Sequence, residues 1–222
     1  MTTLQNVLEN VHNLTESNAS EIFEDIAKQL FRGFCIKQGS VEYRFLEVEF
    51  YYFSPEHKDV LEFGNRPFVY ARNCKVSGTF FVHASGLDIC FTGRVDSGTE
   101  KSRGGGILIR SLLRIDEDGL RTVVTGPWDC MDALINYTNE SNFPRIVKLE
   151  NIDNDVCVQS AVRCNDRSIF KEKKYCFYDF RYVDRKNDYW SEQIGKLNRY
   201  DPITKGIKKE YSEKPWNRKN RV

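Results

Sequence analysis

The chain has 222 residues, with 33 Lys and Arg against 32 Asp and Glu, a formal net charge of +1. That length suits one large domain or two small ones and is enough for a sizeable core. The near-balance of charge argues against a protein that coats polyanions wholesale, while leaving room for a local basic patch.

Taken in order, residues 1–20 read as a polar extension, loose or helical. Up to Leu30 the chain carries five acids (Glu9, Glu16, Glu21, Glu24, Asp25) and one base, Lys28. Asn18-Ala-Ser-Glu21 looks like a helix start with Asn18 or Ser20 as cap. Ile22, Ile26, Leu30 and Phe31 then recur at helical spacing until Gly33 ends the run. From there β-branched and aromatic runs predict strands. They are expected over Phe34 to Lys37, Tyr43 to Phe53, Val69 to Ala71, Gly78 to Val82, Asp88 to Thr92, Gly106 to Leu113 and Arg121 to Thr125. After a short helix from Asp129 to Tyr137, behind Gly126-Pro127, strands are expected over Arg145 to Glu150, Val156 to Ala161 and Phe177 to Val183. The sum is an α+β chain, a mostly antiparallel β core with helices at its edges. Residues 21–195 read as one domain. Residues 196–222 read as a basic C-terminal extension, with nine bases and three acids, suited either to solvent or to phosphate.

The seven cysteines are odd in number and show no C-x-x-C pair, and only three histidines accompany them. No metal site is expected. Thiols set in apolar runs act as small hydrophobes, which predicts a reducing cytoplasm. No apolar signal core precedes the domain and no stretch has the length of a membrane span.

The run Phe45-Leu-Glu47-Val-Glu49-Phe50-Tyr51-Tyr52 is an unusual strand. Period two places Glu47 and Glu49 on one face, with Leu46, Val48 and Phe50 on the other. Two such acids fit a solvated polar face or a general base aimed into a pocket. Arg110, inside Gly106-Ile-Leu-Ile-Arg110-Ser-Leu-Leu113, has apolar neighbours, so it needs a partner or a cavity. Glu47 or Glu49 is the natural partner, in a structural ion pair or an active site. His57 lies in a turn-rich loop after the acidic strand. His83 closes an apolar strand and is the stronger site candidate of the two. Gly104-Gly-Gly106, behind Lys101 and Arg103, matches no phosphate-loop pattern and reads as a loop leading into the next strand.

The order of these pieces resembles the alkyladenine (methylpurine) DNA glycosylase family. Ile26-Ala-Lys-Gln-Leu-Phe-Arg-Gly33 is similar to that family's opening helix, and Leu46-Glu-Val-Glu49-Phe-Tyr51 to its V-E-T-E-A-Y strand. Arg72-Asn73 followed by Gly78-Thr-Phe-Phe-Val-His83 resembles its R-N and G-T-L-Y-V-Y run. Gly105-Gly-Ile-Leu-Ile-Arg110-Ser-Leu112 resembles its strand ending L-L-R-A-L. Gly126-Pro127 with Ala133-Leu134, and later Phe180-Arg-Tyr182, complete the set across residues 26–191.

The resemblance implies the family's fold and the hydrolysis of an N-glycosidic bond to a modified purine, without cofactor or metal. It implies a monomer acting on DNA, duplex or single-stranded, by base flipping in base excision repair. Glu49 would activate the water, and Arg110 would position both and keep the carboxylate ionised. Tyr51 would wall the base pocket, His83 would stand against the flipped base, and His57 would supply a pocket histidine. Two departures stand out. Ala84-Ser85-Gly86 lacks the tyrosine that wedges into the emptied duplex, and Thr92 stands where an asparagine screens purines. The chain therefore also fits a nucleoside or nucleotide N-glycosidase, or a non-catalytic member of the fold that binds nucleic acid or protein.

Overall fold

The computed structural model of the protein describes residues 3–9, 11, 14–54, 56–58, 62–63, 66–67, 76–91, 104–136, 139, 141–161, 173–179, 181, 200–201 and 206–207. The elements run α1 (Leu4–Glu9), α2 (Ala19–Gly33), β1 (Phe34–Gln38), β2 (Val41–Ser54), β3 (His57–Lys58), β4 (Glu62–Phe63), β5 (Arg66–Pro67), β6 (Phe80–His83), β7 (Gly86–Phe91), β8 (Gly104–Ile115) and β9 (Arg121–Thr125). There follow α3 (Pro127–Ile135), β10 (Arg145–Lys148), β11 (Val158–Ala161), β12 (Cys176–Asp179), β13 (Tyr200–Asp201) and β14 (Gly206–Ile207). Ten strands join one antiparallel sheet, making the chain an α+β protein. The expected strand at Val69 to Ala71 lies outside the described residues. So does the basic stretch 196–222, apart from the small β13–β14 ladder.

Helix α2 forms where the spacing predicts it. Its Phe23, Ile26, Ala27 and Leu30 are buried in the main core against β2. Asn18 precedes it but makes no side-chain cap on the helix; its Oδ1 accepts from the Thr15 backbone N–H at 2.7 Å. The N-terminal stretch is no bystander. Val7, Leu8, Val11 and Leu14 are all buried in the same core, so residues expected to form a polar extension pack with the domain.

The topology turns on two long strands. Along one edge β2 pairs first with β1 and then with β12, while its other edge follows β8 throughout. β8 likewise trades neighbours: its first half pairs with β7 and its second half with β9. The ladder between β2 and β8 loses register where these exchanges occur. Phe45 faces Leu112 and Glu47 faces Ser111, but Val48 faces Ile109. Leu46 is thus an extra residue on β2 and Arg110 an extra residue on β8, a bulge on each strand.

The bulge corrects the strict period-two reading. Val48 and Phe50 enter the main core, whereas Leu46 packs on the other face with Leu113, Ala161, Cys176 and Tyr178. Two consecutive residues of β2, Leu46 and Glu47, therefore point away from the core. A second correction concerns Gly104–Gly106, which belong to β8 itself and pair with Phe53, Tyr52 and Tyr51. Gly105 has a structural reason to lack a side chain. Its two cross-strand neighbours, Tyr52 and Phe91, stack with ring centroids 5.6 Å apart, and a Cβ on Gly105 would run into the Phe91 ring.

Candidate functional site

The bulged region gathers the polar residues. Arg110 Nε donates to Glu47 Oε1 at 2.6 Å, and its Nη1 donates to Glu49 Oε2. Ser111 Oγ donates to Glu47 Oε2 at 2.9 Å, and the Cys176 thiol lies 3.7 Å from Glu47 Oε1. The Tyr51 hydroxyl donates to Glu49 Oε1. The carboxylates are nearly inaccessible, Glu49 being 1% exposed. The Arg110 side chain is 22% exposed, so the cluster meets the outside through Arg110 and the half-buried Tyr51.

One arginine thus serves two buried acids. Burial opposes its charge, but Glu49 and then Glu47 outweigh that and hold the guanidinium well above its ordinary range. The two acids differ in how fully they are engaged. A carboxylate has about four acceptor positions. Glu47 receives three donors, Arg110, Ser111 and Cys176, against two for Glu49, from Arg110 and Tyr51. Among the described residues Glu49 therefore keeps more capacity to take a proton from water, and it lies beside the exposed edge of the cluster. Burial first, and then the Glu47 and Asp129 charges, push the Cys130 thiol well up.

The other candidates fall in three places. His83 shares the polar face of the sheet: its Nε2 lies 3.0 Å from Asp88 Oδ1. Asp88 is opposite Leu108, and Leu108 is opposite Glu49, so Asp88, Leu108 and Glu49 form one cross-strand row. Directly opposed residues share a face. His57 is on the opposite face, fully buried in the main core. Its Nδ1 donates to the Tyr52 carbonyl at 3.1 Å, its Nε2 accepts from the Tyr175 hydroxyl at 2.8 Å, and Phe23 meets its ring edge-on. That imidazole is a satisfied core group, away from the Glu49 carboxylate. Thr92 lies outside the described residues, as do Lys101 and Arg103.

The structure therefore brings together Glu47, Glu49, Tyr51 and Arg110, sets His83 in a neighbouring position, and removes His57. Reading the sequence missed Ser111 and Asp88. Ser111 had a signal, since two consecutive polar residues, Arg110-Ser111, inside an apolar strand mark a bulge. Among the described residues no group of three His, Cys, Asp or Glu side chains is disposed to hold a metal ion. No described helix is long and apolar enough to cross a membrane. No model of a known protein family matches the chain, and no curated protein matches it in sequence.

Proposed function

We propose that this protein is an N-glycosidic hydrolase of the DNA glycosylase type, in which Glu49 activates the water that displaces a modified purine from its sugar. The observation that supports the reading is the grip on one strand carboxylate. Glu49 is held through both oxygens, by Arg110 on one and Tyr51 on the other, at a sheet bulge. A general base needs a fixed direction, a stabilised anionic form and a spare lone pair, and this arrangement supplies all three. The order of sequence motifs across residues 26–191 adds the glycosylase character. Under this reading the fold is that of the methylpurine glycosylases, the ligand is DNA and the compartment is the cytoplasm.

The experiment is base release from alkylated and deaminated oligonucleotides, duplex and single-stranded, by the parent chain and by Glu49→Gln. Release that Glu49→Gln abolishes supports the reading; an inert parent sinks it.

The near-complete burial of Glu49 favours one other reading. A carboxylate this enclosed also suits a purely structural ion network that stiffens the bulge in a non-catalytic, nucleic-acid-binding protein. In that case DNA binding persists, its salt dependence is the same for the parent and for Glu49→Gln, and no base is released.

A further inference from the structure

Two acids stand where a general base needs one. A second buried carboxylate beside Glu49 adds repulsion and a further cost of burial, so it calls for a task. Glu47 is 4% exposed and is held at both oxygens. Its directly opposed residue on β8 is Ser111, whose hydroxyl donates to Oε2 at 2.9 Å, while Arg110 Nε donates to Oε1 at 2.6 Å.

Arg110 meets the two acids through different nitrogens, Nε toward Glu47 and Nη1 toward Glu49. A planar guanidinium tied at two of its nitrogens has a fixed plane and a fixed direction. The bond to Glu47 therefore sets the direction of the bond to Glu49. It also divides the charge. A carboxylate with a whole cation to itself is a stable anion and a weak acceptor of protons, whereas base catalysis favours one matched to the working pH. Around Glu49 the other titratable groups are Tyr51 on β2, which donates to it, and Cys176, opposite it on β12. Asp88 lies one strand beyond β8 with His83 beside it, and α3 brings Cys130, which feels both Glu47 and Asp129. Among the described residues Glu47 is the one acid that shares a cation with Glu49.

We propose that Glu47, gripped by Ser111, is a positioning residue for the base: it aims the Arg110 guanidinium at Glu49 and takes up part of its charge. The proposal rests on the hydrolase reading and names the residues that tune its base. Glu47 touches neither water nor sugar; it acts through Arg110.

The pH profile of single-turnover 7-methylguanine release from an oligonucleotide tests this. That base is already cationic and departs without a proton, so the acid limb of the profile reports on the group that activates water. Glu47→Gln keeps the shape and loses the charge. The expected result is a plateau rate lower by roughly 3–10-fold and an acid limb moved down by about one pH unit, because the anion that opposed ionisation of Glu49 is gone. Glu47→Asp keeps the charge but falls short of Arg110, so the plateau falls and the limb stays. Ser111→Ala should lower the plateau in the same way, with Ser111→Thr raising it again. The position of the limb does not depend on the fraction of chain that is folded. If Glu47→Gln does not fold at all, the two Ser111 variants decide. A limb that stays or moves up in Glu47→Gln, a folded Glu47→Gln without any release, or Ser111→Ala at the parent's rate would overturn the proposal and leave the hydrolase reading standing. If the parent releases no base, the reading and the inference fail together.

Discussion

The two faces of β2 solve the same problem in opposite ways. On one face Phe50 and Tyr52 join Phe23, Phe91 and Tyr175 in an aromatic core that encloses a histidine, His57. On the other, Glu47 and Glu49 enclose an arginine. The core face is packed with aromatic rings, and its histidine is satisfied by a hydroxyl and a carbonyl. On the polar face the two buried acids depend on one shared cation, Arg110. His57 and the two acids are tolerated because their partners are present, and Glu49 is the acid with fewer donors. The proposed chemistry is placed on the polar face, and His57, a better-enclosed imidazole than His83, has no part in it.

This contrast sets the size of the expected effects. Arg110→Met leaves two buried carboxylates without their cation and should cost about 3–5 kcal/mol in chemical denaturation. Adding Glu47→Leu and Glu49→Leu to it should restore most of the loss, because apolar side chains need no counter-charge. If the triple variant stays as unstable as the single one, the polar face is not governed by charge balance. Tyr175→Phe strips the donor from His57 Nε2 and should cost about 1–3 kcal/mol, since a buried acceptor is left unmet. Gly105→Ala presses a methyl group on the Phe91 ring and should cost a similar 1–3 kcal/mol; an unchanged denaturation midpoint would show that the aromatic pair gives way freely.

The smallest effect lies at the surface. Burial works to raise Asp153 and Glu42, but hydrogen bonds from Arg181 and from Lys37 and Arg44 outweigh it and hold them below their ordinary 3.8 and 4.5. Both carboxyls are thus harder to protonate folded than unfolded. The stability they add is present above those ordinary values and is lost as pH falls through the lower folded ones. Arg181→Met should flatten the Asp153 part of this acid limb, by about 1 kcal/mol or less. An unchanged acid limb would mean that the bond from Arg181 to Asp153 does not differ between the folded and unfolded chain.

The strands were largely legible because alternation and β-branched content survive in single runs; Arg121–Thr125 matches its expected span residue for residue. The pairing of Arg110 with the two acids was legible too, since a charge among Ile and Leu demands a partner. The bulge was not. Counting by two from Glu49 assigns Leu46 to the core, and only the exchange of β1 for β12 beside it explains the extra residue. His57 misled because a histidine among Ser, Pro and Lys reads as surface, while the hydroxyl that stabilises it lies 118 positions away, on Tyr175. Asp88 was passed over because one acid in Gly-Leu-Asp-Ile-Cys-Phe reads as an exposed position on a half-buried strand. The strand is buried on both faces.

The central claim is that Glu49 is the base. Its most direct test is single-turnover release of 7-methylguanine and hypoxanthine from oligonucleotides by the parent chain and by Glu49→Gln, the variant's folding being checked by its denaturation midpoint. The account predicts release by the parent and a loss of about 100-fold or more in the folded variant. Release by Glu49→Gln at the parent's rate, or none by either chain, would contradict it.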